Sequence, residues 1–161
     1  MLIDILNGQF AQIDVRQRHL IENVPDSKLF WTPVSTADTM VLLSVGGGIL
    51  RSAAMIEQVF LGITRRLWDD PFEWTLPEKL STKEAIAEYL DEVAEARHQG
   101  LAFITSDADL SRKLPAPESL KPILQVLLEA IGKAENYLGR AEVVAKMMSL
   151  DHQPPREVSL R

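Results

Sequence analysis

Apolar residues recur at a three-four spacing along four long stretches of the chain, the signature of helices that bury one face. In the first stretch Ile3, Leu6, Phe10, Ile13, Leu20 and Val24 form the stripe, with Gln17 in its gap, and Pro25 ends it. The segment from Pro25 to Pro33 is apolar and Pro-bounded, so it is expected to pack down onto the helices. The second stretch is expected to start near Ser35 or Thr36 and to run to about Leu67. Its stripe is Leu42, Val45, Ile49, Ser52, Ile56, Phe60 (or Val59), Ile63 and Leu67. Gly46-Gly47-Gly48 interrupts it, and each helical glycine costs about 1 kcal/mol relative to alanine. The triplet therefore predicts a kink or two abutting helices, with close helix–helix contact as its plain reading. A phosphate-cradling loop would need a preceding strand and a following Lys-Ser/Thr, and the sequence has neither there.

The connection Trp68 to Pro77 carries two prolines and three aromatics, which predicts a loop docked over a core edge; a binding lip is the alternative. Ser81-Thr-Lys-Glu84 reads as a capping box opening the third helix, which continues through Ile86, Leu90, Val93, Arg97, Leu101 and Ile104. Ser106 to Asp109 and Leu114 to Pro117 read as loop. Ser119 is the expected cap of the fourth helix, with Pro122 in its first turn and a stripe of Ile123, Leu127, Ala130, Ala134, Tyr137, Ala141, Val144 and Met148. No segment alternates like a strand. The expectation is an all-α, antiparallel four-helix bundle over residues 1–150, followed by a polar tail, 151–161.

Composition narrows the chemistry. A chain of 161 residues is one domain of ordinary size, long enough to bury a core without staples. It has no cysteine, which excludes disulfides, thiolate nucleophiles and Cys-ligated zinc or iron–sulfur clusters. Asp4 stands where a secretory signal would be basic, and no apolar run is long enough for a membrane span, so cytoplasmic residence is the default expectation. Seventeen basic against 23 acidic residues give a net charge of −6. Neither Arg16-Gln17-Arg18-His19 nor Arg65-Arg66 makes a binding stripe, so nucleic acid is not an expected partner. The three histidines, His19, His98 and His152, lie in separate segments, so no pair has helical metal-clip spacing.

Three short motifs, taken in order, resemble the DinB/YfiT-like superfamily. Leu29-Phe-Trp31-Thr-Pro33 is similar to its Trp-x-Pro element. Ser52-Ala-Ala-Met-Ile-Glu57 is similar to the second-helix His-(Ile/Leu)-Ala-x-x-Glu motif, and Gly132-Lys-Ala-Glu-Asn-Tyr-Leu-Gly139-Arg140 resembles Asn-His-x-x-x-His-x-Gly-Gln. The resemblance spans roughly residues 2–149. It implies a four-helix bundle in which three histidines bind a divalent metal such as zinc or nickel, with activities that include thiol transfer. Carried over residue by residue, those ligands become Ser52, Lys133 and Tyr137. A serine hydroxyl is a poor zinc ligand, a lysine ammonium repels the cation, and tyrosine would have to ionise from a pKa of about 10. No metal cofactor is therefore expected.

What remains is a pocket lined by Ser52, Lys133 and Tyr137. Glu129, Lys133 and Tyr137 share one helix face, whose plainer reading is a solvated edge for Glu129 and Lys133 and an amphipathic core position for Tyr137. Arg97 interrupts an apolar stripe, and a buried guanidinium needs a carboxylate, which Glu57 or Glu129 could supply. The sequence shows no nucleophile–base–orienter set. The leading expectation is a non-catalytic small-ligand-binding or interaction protein, taking a small anion and forming a homodimer through an apolar helix face. The alternative is a metal-dependent transferase or hydrolase using non-standard ligands, and a third reading is an unrelated regulatory bundle.

Overall fold

The computed structural model describes residues 2–33, 43–73 and 77–150. Helix α1 (Leu2–Asn23) buries Leu6, Phe10, Ile13, Gln17 and Ile21. Gln17, which the stripe leaves as a gap, thus sits on the buried face. The opening amides of α1 are capped from far along the chain: Leu2 and Ile3 N–H donate to the Asp107 carboxylate at 2.9 and 3.1 Å. Past Pro25 the chain packs down as expected, with Leu29 buried and its carbonyl accepting from Gly46 N–H at 2.8 Å.

Helix α2 (Val45–Arg65) starts later than the sequence suggests. Leu43 and Ser44 are not helical, and the Ser44 hydroxyl caps the helix by accepting from Gly47 N–H at 3.0 Å. The expected start at Ser35 or Thr36, and Leu42, lie outside the described residues. The glycine triplet falls in the first turn, where helix propensity matters least. Gly48 serves close contact, since a methyl group there would meet Ala141 Cβ at 2.8 Å and the Tyr137 carbonyl at 3.1 Å. Helix α2 ends at Arg66, whose backbone is left-handed with φ 58°.

Helix α3 (Lys83–Ala102) is capped by Thr82, which accepts from Ala85 N–H at 3.2 Å, one residue beyond the expected Ser81 box. Its Gly100 leaves room for the Phe60 ring, which also meets Phe10 edge-on with centroids 5.1 Å apart. After the 3₁₀ turn Asp107–Ser111 comes a short antiparallel hairpin, β1 (Lys113–Pro115) with β2 (Leu120–Pro122), pairing Leu114 with Lys121. Sequence reading treats this segment as loop. The strands are three residues long and proline-bearing, too short to display alternation. Helix α4 (Ile123–Leu150) follows directly from β2, without Ser119 as its cap.

The chain is thus mostly helical, with four long helices and one two-stranded sheet among the described residues. Residues from all four helices share one apolar core. Helices α2 and α4 make the most extensive pair and run antiparallel, Gly48 lying against Ala141 and Ser52 reaching Ala134. Leu138, not Tyr137, continues the buried face of α4. No helix among the described residues is long and apolar enough to cross a membrane.

Candidate functional site

Ser52 is sealed inside the helix packing, with no exposed surface. Its hydroxyl donates to the Ala134 carbonyl at 2.8 Å and accepts from Gln17 Nε2 at 2.9 Å. Gln17 is 1% exposed, so one hydrogen-bonded chain ties α1 to α2 to α4 through the core. Both polar groups are buried with partners, as burial requires. The hydroxyl's proton is committed, and no base adjoins it. Ser52 is a bridge.

Glu57 and Arg97 do not meet. Glu57 accepts from the Tyr89 hydroxyl at 2.6 Å, while Arg97 is half-buried on α3 and makes no ion pair among the described residues. The guanidinium in this corner is Arg51, which pairs with Asp70 at 2.7 Å and lies over the Phe72 ring, itself packed against Tyr89. Burial pushes the Glu57 carboxyl above the ordinary glutamate value of 4.5 and Glu92 adds to the rise, although the Tyr89 hydrogen bond pulls it back. Burial raises Tyr89 as well, so its phenol stays a donor.

A carboxyl whose folded pKa lies above its unfolded value contributes stability that is complete below the unfolded value. That contribution is lost as pH rises through the folded one. Glu57→Gln keeps an acceptor for Tyr89 and removes the charge. Relative to the parent chain, this variant should therefore gain stability as pH rises from below the ordinary glutamate value to above the raised Glu57 value, read by urea unfolding across acid to neutral pH. An unchanged difference across that range would rule out burial of the carboxylate as the cause.

Glu129 and Lys133 do come together, at a cleft of about 210 Å³ between α2, α4 and the hairpin. Met55 and Val59 from α2 and Val126 and Ala130 from α4 give it apolar walls; Gln58, Trp68 and Glu118 add polar edges. Lys121 Nζ binds Glu129 at 2.9 Å, and Gln125 Nε2 donates to the same carboxylate at 2.9 Å. The Gln125 and Lys121 bonds hold the Glu129 carboxyl below its usual range. Lys133 is exposed, lines the same cleft and makes no ion pair among the described residues. Ser52 and Tyr137 do not line it. Tyr137 is half-buried two turns beyond Ala130, with the Arg140 guanidinium 5.6 Å from its ring centre.

Sequence reasoning missed Lys121, Gln58 and Met55. Lys121 stands eight residues before Glu129, outside the helix that carries it, so no helical spacing links the two. Trp68 belongs to the aromatic connection for which a binding lip was the alternative. It docks against Gly62, and its indole N–H donates to the Pro115 carbonyl at 2.9 Å, which fixes the hairpin beside the cleft. Trp74 lies outside the described residues. No three His, Asp or Glu side chains converge as a cation would require among the described residues. Compared with known proteins, the chain matches no family model, no curated protein and no solved structure.

Proposed function

We propose that this chain is a non-catalytic protein of DinB/YfiT-like architecture that binds a small organic carboxylate in the cleft beside Lys133. The observation that carries the reading is an exposed ammonium, with no ion pair among the described residues, at the edge of an apolar-walled concavity. Glu129 is hydrogen-bonded to Lys121 and feels Lys133 only electrostatically, so the Lys133 ammonium keeps its donors for a ligand, with Glu118 the second carboxylate of the cleft. Met55, Val59 and Ala130 would cover the ligand's hydrocarbon part, while Gln58, whose Nε2 donates to the Trp68 carbonyl, braces the cleft wall.

The family reading is supported by the order of elements and by the Leu29 segment packed at the start of α2. Ser52 and Ala134 at the centre of the α2–α4 contact support it too. The residues at the family's ligand positions do not fit a divalent cation. A hydrogen-bonded serine, an exposed lysine and a half-buried tyrosine offer no imidazole or carboxylate donor, so no chemical step is assigned to a metal. A homodimer belongs to the same proposal, and exposed Ile5, Leu120 and Leu128 supply apolar surface for it.

Titration of the untagged chain with butyrate, benzoate and glutamate should shift the Met55 methyl and Trp68 indole signals. Lys133→Ala should weaken the best of these by about 10–100-fold, the worth of one charge-assisted hydrogen bond. Its melting temperature should not change, because Lys133 is exposed. Affinity equal to the parent's would discard this site. One tightly held zinc or nickel ion per chain would instead favour the metal-dependent transferase or hydrolase. Sedimentation velocity on the same sample reads the dimer.

A further inference from the structure

A second concavity, of about 410 Å³, lies between the last turn of α2, the end of α3 and β1. Arg66 reaches it from the end of α2 and the adjacent pair Arg112 and Lys113 from the chain entering β1, and among the described residues no carboxylate lines it. Its apolar surface comes from Ile63, Leu114 and Phe103, the last 54% exposed. Arg112 is only loosely neutralised, with Asp109 at 3.7 Å, and its Nη2 is oriented by the Phe103 carbonyl at 3.4 Å. Three cations around an apolar hollow are unexpected in a chain of net charge −6.

Arg66 supplies an independent observation. It is the one non-glycine residue with positive φ among the described residues. Glycine is the usual occupant of a left-handed position after a helix, because a Cβ is strained there. A cation near a helix C-terminus does complement the macrodipole. Arg65, exposed in the last turn of α2, already provides that charge. The dipole therefore does not account for a second arginine in the strained position, whereas a role for its guanidinium in the cleft does.

We infer that this cleft binds an amphipathic organic anion, with a carboxylate or phosphate head held by Arg66, Arg112 and Lys113 and an alkyl or aryl tail on Ile63, Phe103 and Leu114. The cations border a single hollow instead of running in a stripe, which favours a small molecule over a nucleic-acid backbone. The volume falls within the range of about 300–1,000 Å³ usual for ligand pockets. The inference is independent of the Lys133 cleft.

Calorimetry on the full chain with octanoate and octyl phosphate, each below its micellar concentration, tests it and compares the two head groups. Saturable one-to-one binding is expected for at least one of them. Inorganic phosphate and octanol, each lacking half of the recognised chemistry, should bind at least about 10-fold more weakly. Arg66→Gly removes the guanidinium while supplying the residue that the backbone prefers. Affinity should fall by about 10-fold or more while the melting temperature holds or rises. Lys113→Ala, at an exposed strand position, should weaken binding without a cost in folding. Parent-like affinity in both variants would overturn the inference, as would inorganic phosphate binding as tightly as octyl phosphate. An oligonucleotide binding where neither amphiphile does would overturn it too. Ring signals of Phe103 report this cleft and methyl signals of Met55 the other, so failure at one is distinguishable from failure at the other.

Discussion

Phe60→Ala is expected to lower the unfolding free energy by about 3–5 kcal/mol, a typical loss for an aromatic ring removed from a packed core. The ring has no exposed surface, meets Phe10 of α1 edge-on and fills the space that Gly100 of α3 leaves open. One truncation on α2 therefore withdraws packing from two other helices at once. Neighbouring side chains cannot close the gap without moving whole helices, so the cavity cost adds to the lost transfer energy. Urea unfolding followed by circular dichroism should show a lower midpoint with an unchanged slope. A loss under about 1 kcal/mol would contradict the three-helix contact.

Ser52→Ala is expected to cost about 1–3 kcal/mol, because it strands the buried amide of Gln17. The companion change Gln17→Leu should also destabilise, leaving the serine with one partner in place of two. Made together, the two substitutions remove both polar groups, and apolar replacements of similar shape are often nearly neutral. The double variant should therefore be more stable than the sum of the single effects implies, and a double-mutant cycle measures that coupling directly. Additive effects would mean that the 2.9 Å bond between Gln17 and Ser52 carries no energy. The result also bears on function, since a side chain that exists to join helices is not held ready for a substrate.

Periodicity alone exposed the four helices and most of their inward faces, because burial on one side of a helix leaves a mark every three or four positions. It did not resolve choices between adjacent residues. After Ala134, Tyr137 and Leu138 fit the spacing equally well, at i+3 and i+4, and packing chose the leucine. The α3 cap shows the same ambiguity: Ser81 and Thr82 are both good caps, and the chain used the second. Gln17 left a visible gap in the first stripe. Its meaning depends on Ser52, 35 residues away, which no local pattern could reveal. The Lys121–Glu129 pair and the cluster of Arg66, Arg112 and Lys113 depend on the hairpin, whose strands are too short to read. Arg97 was singled out as a break in an apolar stripe. Its position is half-buried, and a long arginine at such a position needs no buried carboxylate partner.

The carboxylate that closes the first turn of α1 is made 105 residues after the amide it binds. At a ribosomal pace of about 5–20 residues per second, that delay is about 5–20 s. Helix α1 is thus made before the carboxylate that binds its first amides and before the α3 and α4 faces on which its apolar stripe packs. Its final docking becomes a late event in synthesis, tied to delivery of Asp107.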